Sequence, residues 1–70
     1  MDKIIINTEF IKLGQFLKLA SIVSGGSEAK YFILGGNVSV NGETCLMRGK
    51  KVYPGDVIKA GGKEFVVGGG

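Results

Sequence analysis

Residues 12–42, KLGQFLKLASIVSGGSEAKYFILGGNVSVNG, decide how this chain folds. Leu13, Phe16, Leu17 and Ala20 recur at i, i+3, i+4 and i+7, the spacing that lines one side of a helix, so a first helix is expected over about 13–20. Gln15 and Lys18 project from its opposite side and Lys12 stands at its entrance. Gly14 opposes that helix, because an interior glycine costs about 1 kcal/mol relative to alanine. Ser24-Gly25-Gly26 then breaks the pattern, and a second helix is expected over about 27–34. It carries Ala29, Phe32 and Ile33 on one side, with Ser27, Lys30, Tyr31 and Leu34 around the other. Ser24 or Ser27 is placed to cap its start, and Gly35 or Gly36 to end it in the left-handed conformation.

Working outward, Val38-Ser39-Val40 alternates as a short strand, and Asn41-Gly42 is a strong hairpin signal because both residues tolerate positive φ. The return segment runs from Glu43 to Met47 and ends in Arg48-Gly49-Lys50-Lys51. Tyr53-Pro54-Gly55-Asp56 reads as a turn before a strand at Val57-Ile58, and Gly61-Gly62 turns the chain into a last strand at Glu64-Phe65-Val66-Val67. On the other side, Ile4-Ile5-Ile6 is β-branched and reads as a first strand. The expected fold class is α+β, two short helices packed on a small, mainly antiparallel sheet, with residues 1–70 as one domain and no linker or repeat. Phe10, Phe16, Phe32 and Phe65 are its core candidates.

Seventy residues leave little interior, which favours a binding surface over an enclosed active site. Hydrophobic residues are 44% of the chain, enough to expect folding, yet no apolar run approaches transmembrane length. The opening MDKIIINTEF lacks the basic-then-apolar pattern of a signal peptide, so the expected location is the cytoplasm. Cys45 is the only cysteine and there is no histidine, which excludes disulfides, Cys/His zinc sites and histidine-based triads within the chain. No carboxylate pair has general acid–base spacing, and nothing calls for a metal or an organic cofactor. The net charge is only +3, but between residues 12 and 51 the bases Lys12, Lys18, Lys30, Arg48, Lys50 and Lys51 face only Glu28 and Glu43. That local excess points to a polyanionic partner more than the total does.

In order along the chain stand Leu-Gly-Gln-Phe-Leu-Lys-Leu-Ala at 13–20, Gly-Gly-Ser-Glu-Ala-Lys at 25–30, Gly-Asn-Val-Ser-Val-Asn-Gly at 36–42, Arg-Gly-Lys-Lys-Val at 48–52 and Pro-Gly-Asp-Val-Ile at 54–58. This ordered set resembles the S4 RNA-binding domain, and within it the small stand-alone S4-domain proteins of the YaaA type found in Gram-positive bacteria. The resemblance covers about 10–58, with a strand added on either side. It implies a non-catalytic protein whose two helices and following loop bind structured RNA, with rRNA or a ribosomal particle as the partner and ribosomal protein contacts beside it. Two positions depart from the family's general pattern. The acid usual beside the leading leucine of the first helix is Gly14 here, and the arginine usual near the start of the second falls at Gly26.

The residues that would carry this function are Lys12, Gln15, Lys18, Ser27, Lys30, Tyr31, Arg48, Lys50 and Lys51. Lysines and Arg48 suit a line of phosphates, and Gln15 and Ser27 suit phosphate or a 2′-hydroxyl. Tyr31 is placed either to stack on an unpaired base or to pack against the sheet edge. Gly25-Gly26 reads as a tight interhelical turn in preference to a phosphate loop. Two alternatives stay open. The terminal Val67-Gly68-Gly69-Gly70 also looks like the tail of small β-grasp sulfur carriers, whose last glycine, Gly70 here, would be activated. The outer helical surface would equally serve a protein-binding adaptor. Sulfur carriers need one principal helix, whereas the patterns around Phe16 and Phe32 call for two.

Overall fold

Side chains buried at alternate strand positions and at three- and four-residue helical intervals meet in one core: Leu13, Phe16, Leu17, Ala29 and Ile33 from the helices, and Ile6, Val38, Val40, Val52, Ile58, Ala60, Phe65 and Val67 from the strands. The computed structural model describes residues 1–69. Its elements are β1 (Asp2–Ile6), β2 (Ile11–Lys12), α1 (Leu13–Leu19), α2 (Gly26–Leu34), β3 (Val38–Val40), β4 (Glu43–Thr44), β5 (Lys51–Val52), β6 (Val57–Ala60) and β7 (Lys63–Gly69). Five strands form a sheet in the order β1-β7-β6-β3-β4, in which β1 runs parallel to β7 and the other neighbours are antiparallel. The two helices lie on one face of it, with the Phe16 and Phe65 rings edge to face at 6.0 Å. This is the expected arrangement of two short helices on a small sheet.

The turns follow the residues that allow them. Asn41 (φ 52°) and Gly42 (φ 88°) join β3 to β4, and Gly61-Gly62 repeats the device between β6 and β7, both two-residue loops whose twist matches the strands. Asn41 is also tied to the Tyr53–Asp56 turn. Its Nδ2 donates to Asp56 Oδ1 (3.1 Å) and its Oδ1 accepts from the Val57 amide (2.9 Å).

The helices end differently from one another. At the C-terminus of α1 the Ser21 amide bonds to the Lys18 carbonyl and the Ile22 amide to that of Leu17, the double closure of a Schellman motif, with Ser21 itself at φ 60°. At the start of α2, Gly25 is the N-cap and neither Ser24 nor Ser27 caps it, contrary to expectation. Gly36 (φ 79°) is the left-handed residue at its end.

Three further departures from the sequence reading have physical causes. The return segment is strand only over β4, after which the chain leaves the sheet. Gly68 and Gly69 are not a loose tail; they pair with Ile5 and Ile6. A Cβ on Gly68 would stand 2.6 Å from Ile5 Cδ1, so the missing side chain is what lets Ile5 and Lys3 lie across the strand. Gly70, on which the sulfur-carrier alternative turned, lies outside the described residues. Phe10 is not in the core but on a two-stranded ribbon formed by β2 and β5.

That ribbon leads directly into α1 and holds its start. The Leu13 amide donates to the Lys50 carbonyl (2.8 Å) and the Gly14 amide to the Arg48 carbonyl (3.0 Å), so loop carbonyls satisfy two of the donors that a helix N-terminus leaves free. No side chain caps α1. Gly14 is buried because the Arg48 stem lies on it; a Cβ there would come within 2.7 Å of Arg48 Cγ. Two substitutions should therefore act against simple expectation. Gly14→Ala, favourable by helix propensity, should destabilise by about 1–3 kcal/mol through overpacking. Ser21→Gly, at a helix end, should stabilise by about 1 kcal/mol by relieving the left-handed strain. Urea denaturation of both variants reads the opposite signs.

Candidate nucleic-acid interface

Arg48 is the residue around which the basic side chains gather. Its carbonyl is bound to α1, its stem covers Gly14, and its Nη1 reaches the Gly26 carbonyl at the start of α2 (3.4 Å). The two positions at which the chain departs from the general S4 pattern thus both face the same arginine. Around it a groove of about 320 Å³ is lined by Lys12, Gln15 and Lys18 of the first helical segment, by Gly26 and Ala29 of α2, and by Gly49. Three of the expected contact residues are therefore brought together with Arg48 on one surface.

Lys30 joins this group from the far side of Arg48, sharing a smaller hollow with Arg48, Leu34 and Leu46. Tyr31 is 71% exposed, which removes the alternative of packing against the sheet edge; the Lys30 ammonium stands 6.0 Å from its ring centre. Ser27 is exposed in the first turn of α2. Lys50 and Lys51 belong to a different groove, with Leu46, Met47 and Tyr53. Lys51, expected to extend the positive patch from a loop, is instead the first residue of β5 and lies opposite Lys12.

The β2–β5 ribbon carries a cluster that the sequence reading did not assemble. Ile11 pairs with Val52 and Lys12 with Lys51, and Val52 is fully buried, so Ile11 and Val52 take the inner face while Lys12 and Lys51 take the outer. On the outer face the Phe10 and Tyr53 rings meet at 5.8 Å, and the Lys51 ammonium sits 4.8 Å from the Phe10 ring centre. The signal was the matched alternation of Phe10-Ile11-Lys12 with Lys51-Val52-Tyr53, each too short to register as a strand alone.

Charge at the start of α2 is set by Glu28. One carboxylate oxygen accepts from both the amide and the hydroxyl of Ser24, each at 2.7 Å. Those donors hold the Glu28 carboxyl below its ordinary pKa, the amide contributing most and the hydroxyl next. The only acid on α2 is thereby occupied with its own helix start.

A family model described as the S4 domain matches residues 4–68. The chain belongs to the S4 domain family. The match takes in residues 4–6 of β1 and 63–68 of β7 as well as the helical centre. The chain is 49% identical over 61 residues to the probable ribosome maturation protein RlbA of Bacillus subtilis (strain 168), covering 87% of this chain and 86% of that protein. Among solved structures it is similar to the 30S ribosomal protein S4e from Thermoplasma acidophilum, with a TM-score of 0.62 and 24% identity. That likeness covers 83% of this chain but only 31% of the ribosomal protein, and it shows the shared fold.

The Glu28–Ser24 contact gives a pH test of the site's geometry. A carboxyl with a lowered folded pKa contributes stability above its unfolded pKa and loses it as pH falls through the folded value. In an NMR titration the Ser24 amide should therefore move with a midpoint below 4.5, and Ser24→Ala should raise the Glu28 midpoint toward the ordinary value.

Proposed function

We propose that this protein is a non-catalytic binder of structured RNA, either rRNA or another ribosome-associated RNA, acting in the cytoplasm. The observation that carries this reading is the convergence of Lys12, Gln15 and Lys18 with Arg48 on the groove between the two helices. Phosphates attract such a set by Coulomb interaction and by release of condensed counterions, and an RNA duplex is recognised chiefly by shape, phosphate and 2′-hydroxyl contacts. Lys30 extends the positive surface along α2, and Lys50 and Lys51 extend it along the ribbon. Arg48 has a divided role: its stem and carbonyl hold the fold, while the guanidinium, bound among the described residues by a long 3.4 Å contact, remains able to turn to a phosphate.

Family membership supports RNA as the polyanion, and the name of the Bacillus subtilis relative, a probable ribosome maturation protein, supports a ribosomal setting. No described helix is long and apolar enough to cross a membrane. The test is binding of the full chain to rRNA fragments and tRNA over a salt series, beside a variant with Lys12, Lys18 and Lys30 changed to glutamine. Affinity of the variant should fall about ten- to a hundredfold, and the slope of log K against log salt should shrink by about two to three, near one per lost phosphate contact. Its thermal melt should stay close to that of the parent, since all three side chains are exposed. Equal affinity and equal slope would remove these lysines from the interface, and salt-insensitive binding to protein alone would favour the adaptor reading.

A further inference from the structure

We propose that the outer face of the β2–β5 ribbon is a second RNA contact, one that holds an unpaired nucleotide with its base stacked on Tyr53 and its phosphate on Lys51 and Lys12. The inference rests on the RNA-binding reading above and adds to it a single-stranded element at a defined place.

The composition of that face is the first reason. Continuing the register one step beyond Ile11–Val52 sets Phe10 opposite Tyr53, so two aromatics and two lysines share one surface. Lysines directly opposite one another repel and are disfavoured in a sheet unless something else uses the charge. Lysine on an exposed strand edge is also a common protection against self-association. That purpose would be defeated by setting Phe10 and Tyr53 beside them, whereas an aromatic platform flanked by cations matches the chemistry of a stacked base and its phosphate.

Rigidity is the second reason. The Tyr53 amide donates to Asp56 Oδ2 (2.8 Å), and the Asp56 amide to the Tyr53 carbonyl (2.9 Å), while Asn41 holds the other Asp56 oxygen. Phe10, just before β2, leans on the Tyr53 ring. Tyr53 is nevertheless 43% exposed and lines a groove of about 460 Å³ with Leu46, Met47, Lys50 and Lys51, a volume within the range of small-ligand sites. Two acids, Glu43 and Asp56, line the same groove beside the Asn41 turn. They oppose a phosphate at that end and so direct the nucleotide's backbone toward the ribbon lysines.

Position is the third. Lys12 lines the helical groove and stands on the ribbon face as well, which makes the two surfaces continuous. An RNA whose paired stem lies along the helices would bring a bulge or an end across Lys12 onto Tyr53.

The test compares two probes, a blunt RNA stem-loop and the same stem-loop with an unpaired tail of about five adenines, against the full chain and its variants. Tyr53→Leu removes the ring while keeping apolar bulk, and should weaken binding of the tailed RNA about five- to 150-fold with little change for the blunt one. Tyr53→Phe should bind both as the parent does. Because the chain contains no tryptophan, Tyr53→Trp installs a single reporter whose fluorescence the tailed RNA should quench and the blunt RNA should not. An unchanged affinity of Tyr53→Leu for the tailed RNA, or an equal loss on both probes, would overturn the stacking site while leaving the helical interface standing. Failure of the parent chain to bind either RNA would overturn both readings together.

Discussion

Two main-chain hydrogen bonds, from the amides of Leu13 and Gly14 to the carbonyls of Lys50 and Arg48, govern the arrangement of this molecule. A seven-residue helix is far below the length that is stable alone, so α1 exists because its apolar stripe is buried and because its open end is closed from outside. The closure is made by a segment some 35 residues further on, which ties the loop after β4 to the helical layer. That tie is what brings the scattered bases into one neighbourhood. Without it, Arg48, Lys50 and Lys51 would belong to a long connection, and Lys12 and Lys18 to an isolated turn of helix.

Gly14 shows how a local cost serves that closure. By propensity alone it weakens α1, but no larger residue leaves room for the Arg48 stem, which lies on Gly14 beside the Gly14–Arg48 hydrogen bond. Gly68 works the same way in β7, where Ile5 and Lys3 of the edge strand β1 lie over it. In both places a glycine that looks like a breaker or a loose end is a surface against which another side chain packs. Such a role depends on what lies nearby in space, and a single sequence does not display it.

What was legible follows from the range of the interaction. Helical stripes, the Asn41-Gly42 and Gly61-Gly62 turns and the Pro54-Gly55 turn are set by neighbours a few residues away, and they appear where the residues place them. Lys12, Gln15 and Lys18 came together because the face of α1 was readable from its period. The β2–β5 ribbon was not readable, because two-residue strands carry no period of their own and their pairing spans most of the chain. Phe10 was placed in the core for the same reason: an aromatic residue next to an isoleucine looks buried until the partner strand shows which way each faces. Lys51, read as a loop residue, proved to be half of a cross-strand pair with Lys12.

The division of labour between carbonyls and side chains in residues 48–51 follows from this geometry. The carbonyls of Arg48 and Lys50 are turned inward to the helix, which leaves their side chains, and those of Lys51 and Lys12 across the ribbon, on the solvent side. Stability and charge are thus drawn from the same residues but from different atoms. Exchanging a lysine side chain there removes charge without touching the hydrogen bonds that close α1, whereas disturbing the main chain by filling the space over Gly14 would displace the arginine and loosen the helix at once. A positive surface built in this way can change its lysine side chains while its framework stays fixed, because the framework depends on their main chain and, at position 48, on the arginine stem over Gly14.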